Sequence, residues 1–186
     1  MSTDYHTPFD VSDVIDIVSA NSRFAELDAA IASTLTTTAI KAALVYDSKS
    51  TTTAGGGASA TTWNARDLNA EVDPDSIVAV SSNKFTPIAG TYMIWVEAPA
   101  SEVEQNRVRL YNVDETAVVA EGLNVFAASS GSTSVATLFT IFTADGNDEY
   151  RIDHYTNTAQ ASDGLGKAVG DGGAEIYTQV LLLKIS

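Results

Sequence analysis

The sequence predicts a mainly β protein, an antiparallel jelly-roll sandwich over residues ~42–186 preceded by a short N-terminal helical arm. Three observations carry this. From Ala43 onward, short apolar runs alternate with turn residues about every 8 to 15 positions, the spacing of an antiparallel sandwich. No long helical period appears after residue 40. Before it, apolar residues recur at three- and four-residue intervals. The chain therefore divides near Ile40 into a helical arm with its linker (1–40) and a β domain (41–186).

In the arm, Asp10 precedes Val11, Val14, Ile15 and Val18, with Asp10 and Ser12 as candidate caps and Asp13 in the first turn. This predicts one short helix. The pair Asn21-Ser22 reads as a second cap, before a run holding Phe24, Leu27 and Ile31. The same rhythm extends back through Ala20 to Ile17, so Ile17, Ala20, Phe24, Leu27 and Ile31 form one stripe. The stripe spans little more than two heptads, and isolated helices this short are marginal in water. It must pack either on its own domain or along a seam between identical chains. Thr34-Leu35-Thr36-Thr37-Thr38 is rich in β-branched hydroxyls and ends the helix, opening an extended linker.

The expected strands are 43–47, 61–64, 77–81, 91–98, 107–112, 117–125, 134–144, 149–157 and 175–185, about nine in about 145 residues. Their punctuation is explicit in Gly55-Gly56-Gly57, Asp73-Pro74-Asp75, Ala89-Gly90, Ser129-Ser130-Gly131, Asp145-Gly146-Asn147-Asp148 and Gly170-Asp171-Gly172-Gly173. Alternation within the strands says more than their number. Tyr92-Met93-Ile94-Trp95-Val96, Leu138-Phe139-Thr140-Ile141-Phe142 and 177–185 are apolar on both faces. A two-layer sandwich leaves one face of each sheet wet, as the alternating 107–112 and 149–153 allow. With no helical layer after residue 40, another copy of the chain is the expected cover for the doubly apolar strands. Trp95, Phe139 and Phe142, with Ile17, Phe24, Leu27 and Ile31 of the arm, are the candidate residues of an interface between copies of the chain.

Composition closes off other classes. The 186 residues include 45% hydrophobic and 18% charged ones, enough apolar material for a packed core. A net charge of −14 repels phosphate backbones and anionic headgroups, so neither nucleic acid nor membrane is an expected partner. Without cysteine there is no disulfide framework, thiol nucleophile or Cys-based metal site. No apolar run approaches the ~18 residues that span a bilayer, and Met1 to His6 lacks the basic and apolar regions of an export signal.

The search for site chemistry yields no catalytic residue, metal site or cofactor. His6 and His154 are the two histidines and lie far apart, which argues against a zinc site or a Ser-His-Asp triad; His154, alternating with Tyr150 and Ile152, reads as a structural strand residue. Asp145 to Glu149 is dense in oxygen but lacks the EF-hand spacing, so a hairpin turn explains it. The glycines at 164–166 and 170–173 lack the Walker pattern. Glu102 with Glu104, or Asp114 with Glu115, could be imagined as glycosidase pairs, but an acidic chain offers many such pairs on a solvated face. The chain is not expected to be an enzyme.

A set of residues then stands out together: Trp63-Asn64-Ala65-Arg66-Asp67-Leu68-Asn69, Gly90-Thr91-Tyr92, Arg109-Leu110-Tyr111-Asn112, Gly164-Leu165-Gly166 and the closing Glu175-Ile176-Tyr177-Thr178-Gln179-Val180 with Lys184-Ile185. In order and interval they resemble the jelly-roll domain of bacteriophage tail-fibre and virion-fibre proteins, itself similar to the trimeric tumour-necrosis-factor-like jelly rolls. The resemblance covers roughly residues 42–186, and its motif residues are structural rather than catalytic. It implies a homotrimeric fibre or spike on the virion surface, tail or head, assembled in the host cytoplasm. Residues 1–40 would join other virion proteins, and the jelly roll would face a host glycan or protein. A capsid decoration protein of the same fold, with no receptor role, is the alternative.

Overall fold

The computed structural model describes residues 11–37 and 40–186, with helical side chains described at 19–32. The chain divides into two units, residues 1–39 and 40–186.

The first unit holds α1 (Val11–Thr37), one continuous helix of 27 residues. The expected break at Asn21-Ser22 does not occur. The apolar rhythm stays in phase across that pair, and two residues of middling propensity cost about 1 kcal/mol or less together, too little to interrupt an established helix. The helix ends inside the threonine run, as expected. Phe24, Leu27 and Ile31 are exposed. The candidate cap Asp10, the side chains of Ser12 and Ile17, and the linker at 38–39 lie outside what is described.

The second unit contains β1 (Lys41–Lys49), β2 (Thr62–Ala65), β3 (Ala70–Val72), β4 (Val78–Ser81), β5 (Lys84–Pro87), β6 (Gly90–Ser101), β7 (Glu104–Asn112), β8 (Ala117–Glu121), β9 (Val125–Ala127), β10 (Thr133–Ala144), β11 (Tyr150–Thr156) and β12 (Glu175–Lys184). Twelve strands replace the nine expected. β3 and β5 are too short to show an alternation, and β5 carries Pro87. The single run expected over 117–125 is split into β8 and β9 at Gly122, whose position leaves a built Cβ 2.4 Å from the Thr137 carbonyl oxygen.

All pairings are antiparallel. One sheet has the order β10-β6-β12-β1-β3; the other runs β4-β5-β11-β7-β8, with β2 added alongside β11 and β9 alongside β7. β1 lies between β12 and β3 and pairs with β12 from Lys41↔Lys184 to Lys49↔Glu175, with one irregularity between Tyr46 and Ser48. Between the sheets lies one core of Val45, Phe85, Ile94, Leu110, Leu138, Ile152 and Leu182 among others. Within it Phe142 is only 7% exposed and its ring sits 5.7 Å from that of Tyr92 and 5.2 Å from that of Tyr150. Its assignment to a trimer interface is therefore corrected: Phe142 belongs to the sandwich core. In a strand apolar on both faces, alternation alone does not say which set turns inward.

Candidate functional site

The two outer faces of the sandwich differ in chemistry. On the five-stranded sheet, strand register aligns Phe139, Trp95, Leu181, Leu44 and Val72 in one row that crosses every strand. Beside it runs Ile141, Met93, Leu183 and Ala42, also apolar. On its other side Thr137, Glu97, Gln179, Tyr46 and Ala70 turn polar. Trp95 and Phe139 meet edge to face at 5.9 Å, yet remain 51% and 60% exposed. A contiguous apolar surface of this kind marks an association site.

The second sheet presents a cationic and aromatic face. Its register places Trp63, Tyr155 and Arg107 in one row, Asp153, Arg109 and Glu121 in the next, and Arg151, Tyr111 and Val118 in a third. Arg109 donates from Nε and Nη2 to Asp153 Oδ2 at 2.9 and 2.8 Å, and Arg151 Nε donates to Asp153 Oδ1 at 2.7 Å. The Arg109 guanidinium lies 4.2 Å from the Trp63 ring centre and 4.5 Å from that of Tyr111, while Arg151 lies 4.8 Å from Tyr111. Asp153 sits on an outer face yet is fully covered by this layer. Three of the five arginines in the chain are gathered here. Cation–π stacking and a shared carboxylate hold their planes, so the face is rigid as well as charged.

At one end of it, Trp63, Tyr155, Phe126, Gln105, Asn124 and Arg107 line a groove of about 700 Å³. Arg107 is paired with Glu121 at 2.8 Å.

The motif residues divide between these roles. Trp63, Arg109 and Tyr111 form the outer cluster. Arg66 is buried: its Nε donates to Thr178 Oγ1 at 2.6 Å, Nη1 to the Pro99 carbonyl at 3.1 Å and Nη2 to the Leu165 carbonyl at 2.9 Å. Burial pulls its guanidinium down to about 10, still a cation at neutral pH. Asp67 pairs with Lys49 at 2.6 Å, Leu68 is in the core, and the Asn69 side chain both accepts from the Ser48 N–H and donates to its carbonyl. Asn112 is buried and donates to Asp148 Oδ2 at 2.7 Å. Tyr177 donates to the Thr53 carbonyl at 2.7 Å, and its ring lies so close to Gly166 (φ 133°) that a built Cβ there would meet it at 2.3 Å.

The carboxylates considered for catalysis or calcium brace loops. Glu102 accepts from Lys167 and the Gly131 N–H, Glu104 from Thr158, and Asp114 from the Glu149 N–H. Asp145 accepts from the Asn147 and Asp148 N–H groups, which holds it below the usual carboxylate range, and Glu149 pairs with Lys84. Among the described residues no three His, Asp or Glu side chains are grouped to hold a metal ion, and no helix is long and apolar enough to cross a membrane.

His154 is fully buried, its Nε2 3.0 Å from Asn106 Oδ1 and its Nδ1 without a partner. Burial, with Arg66 nearby, holds it well below its ordinary value near 6.5. The unfolded chain takes up this proton near pH 6.5 while the folded chain refuses it. Stability is therefore complete above that pH and falls below it, by up to about 1.4 kcal/mol per pH unit. Urea denaturation at pH 7.5 and 5.5 should show this loss, and a His154→Gln chain should show less of it; equal losses in both would place the titration elsewhere.

Leu181, Phe126, Gln105 and Asn124 were not singled out by the sequence. Leu181 sits in a run of three leucines without alternation. The other three become neighbours of Trp63 only through the pairing of β2, β11, β7 and β9.

No family model and no curated protein matches the chain. Among solved structures, murine APRIL crystallised at pH 8.5 superposes with a TM-score of 0.51 at 8% identity, over 78% of this chain and 99% of that one. The same protein at pH 5.0 gives the same values. The globular domain of zebrafish complement 1qA matches at 13% identity with a TM-score of 0.46, over 79% of this chain and 97% of that one. At such identities the likeness is one of fold: residues 40–186 form an antiparallel jelly-roll sandwich of the kind seen in murine APRIL.

Proposed function

We propose that this chain is a structural virion protein of a bacteriophage, a homotrimeric fibre or spike held to the particle by its N-terminal arm and presenting its jelly roll to the host surface. The observation that carries the trimer is the apolar row Phe139–Trp95–Leu181–Leu44–Val72, which crosses all five strands of one sheet with nothing in its own domain to cover it. The motif resemblance to the trimeric tumour-necrosis-factor-like jelly rolls points the same way, and the sandwich agrees in fold with murine APRIL. The fibre assignment is supported by the motif resemblance over residues ~42–186, and the second point of attachment by the exposed stripe Phe24, Leu27 and Ile31 on α1.

Two measurements test this reading. Light scattering of the full chain at micromolar concentration should give the mass of three chains, with each interface burying more than ~1,000 Å²; a one-chain mass overturns the trimer. A chain lacking residues 1–38 should keep the circular dichroism of a folded β domain, since that unit has its own core, but fail to join the particle. Incorporation without the arm overturns the division of labour, and particles that adsorb normally without the protein but lose shell stability favour a decoration role.

A further inference from the structure

We infer that the groove beside Trp63 on the second sheet is a binding site for a neutral saccharide. The inference deepens, and for its biological setting rests on, the reading of this domain as the host-facing module.

The groove combines two kinds of surface. Trp63, Tyr155 and Phe126 give it aromatic walls. Trp63 is fixed by the Arg109 guanidinium 4.2 Å from its ring centre and by the edge of Tyr155 at 5.6 Å, so it is held in place before any ligand arrives. Phe126, opposite Gln105 in the β7–β9 pairing, is 59% exposed. The side-chain amides of Gln105 and Asn124 line the same groove and have no hydrogen-bond partner among the described residues. A pyranose ring has the matching anatomy. One face is a patch of C–H groups that packs on aromatic rings, and its rim carries hydroxyls that both donate and accept, as an amide does. The volume of about 700 Å³ falls within the ~300–1,000 Å³ of small-molecule sites.

Charge selects a neutral sugar over an acidic one. The cation of the groove, Arg107, already holds Glu121, and the two neighbouring guanidiniums share Asp153. A ligand carboxylate would have to displace one of these partners while approaching a chain of net charge −14. The hydroxyls of a neutral sugar need no such exchange. The groove also lies on the opposite sheet from the apolar row, so assembly through that row leaves it open.

The test uses the full chain on an array of neutral and acidic glycans, followed by calorimetry with the best-bound oligosaccharide. Saturable binding of a neutral glycan is expected, with Kd of about 0.1–1 mM per site, as an open groove with few contacts allows. Phe126→Ala and Gln105→Ala, both at exposed positions and checked by circular dichroism, should each weaken it about tenfold or more. No binding to any glycan, preference for acidic ones, or unchanged affinity in both variants overturns the inference. Host adsorption separates the two levels of the argument. If particles need this domain to adsorb but tolerate Phe126→Ala, the adhesion reading stands and the groove assignment falls; if the groove binds sugar but adsorption does not need the domain, the reverse holds.

Discussion

On the proposed trimer, Trp95→Glu is expected to give single, folded chains. The side chain stands on the outer face of β6 and is half exposed within one chain, so its replacement leaves the sandwich core intact. In an assembled trimer it would lie between Phe139 and Leu181 of its own sheet and a neighbouring chain, where an unpaired carboxylate costs several kcal/mol. Trp95→Ala should cost about 3–5 kcal/mol in the assembled state, from lost transfer energy plus the cavity left behind. Light scattering reads the mass and circular dichroism the fold. Val118→Glu, on the opposite sheet, should change neither. A three-chain mass retained by Trp95→Glu would move the seam elsewhere.

Arg66→Ala is expected to lower folding stability by about 3–5 kcal/mol, because it opens a cavity and strands three acceptors, two of them in buried bonds. Those acceptors come from β12, the end of β6 and the 157–174 loop, so one side chain ties together three segments distant in sequence. In a domain of this size such a loss corresponds to a fall in Tm of about 10 °C or more. Arg66→Lys should recover little of it, since an ammonium cannot span the same three positions in a plane. A wild-type melting curve for Arg66→Ala would show that water reaches these carbonyls after all.

These two residues also show what could be read from the sequence and what could not. Trp95 and Phe139 were legible as members of strands apolar on both faces, because period-two alternation leaves a visible trace when the outward set is apolar. Phe142 was assigned to the wrong set for the same reason, since only packing distinguishes two apolar faces. Arg66, in a polar stretch between turns, carried no local sign of burial; its partners lie 33 to 112 positions away. The helix followed from its stripe, but its continuity through Asn21-Ser22 depends on cooperativity, which single-residue preferences understate. The Trp63 cluster was named by motif, whereas its juxtaposition with Arg107, Arg151 and Phe126 exists only once β2, β11, β7 and β9 are laid side by side.

The position of β1 has a mechanical consequence. The domain is joined to its arm just ahead of Lys41, and β1 is flanked by strands on both sides, with eight registered residue pairs to β12 alone. A tether pulling at Lys41 along the strand axis loads that ladder in shear, so the pairs carry the force together instead of opening one after another as in a zipper. Survival under load is set by the rate of unfolding rather than by equilibrium stability. If residues 1–40 are the attachment proposed above, a domain loaded through this strand would resist the pull by its rate of unfolding.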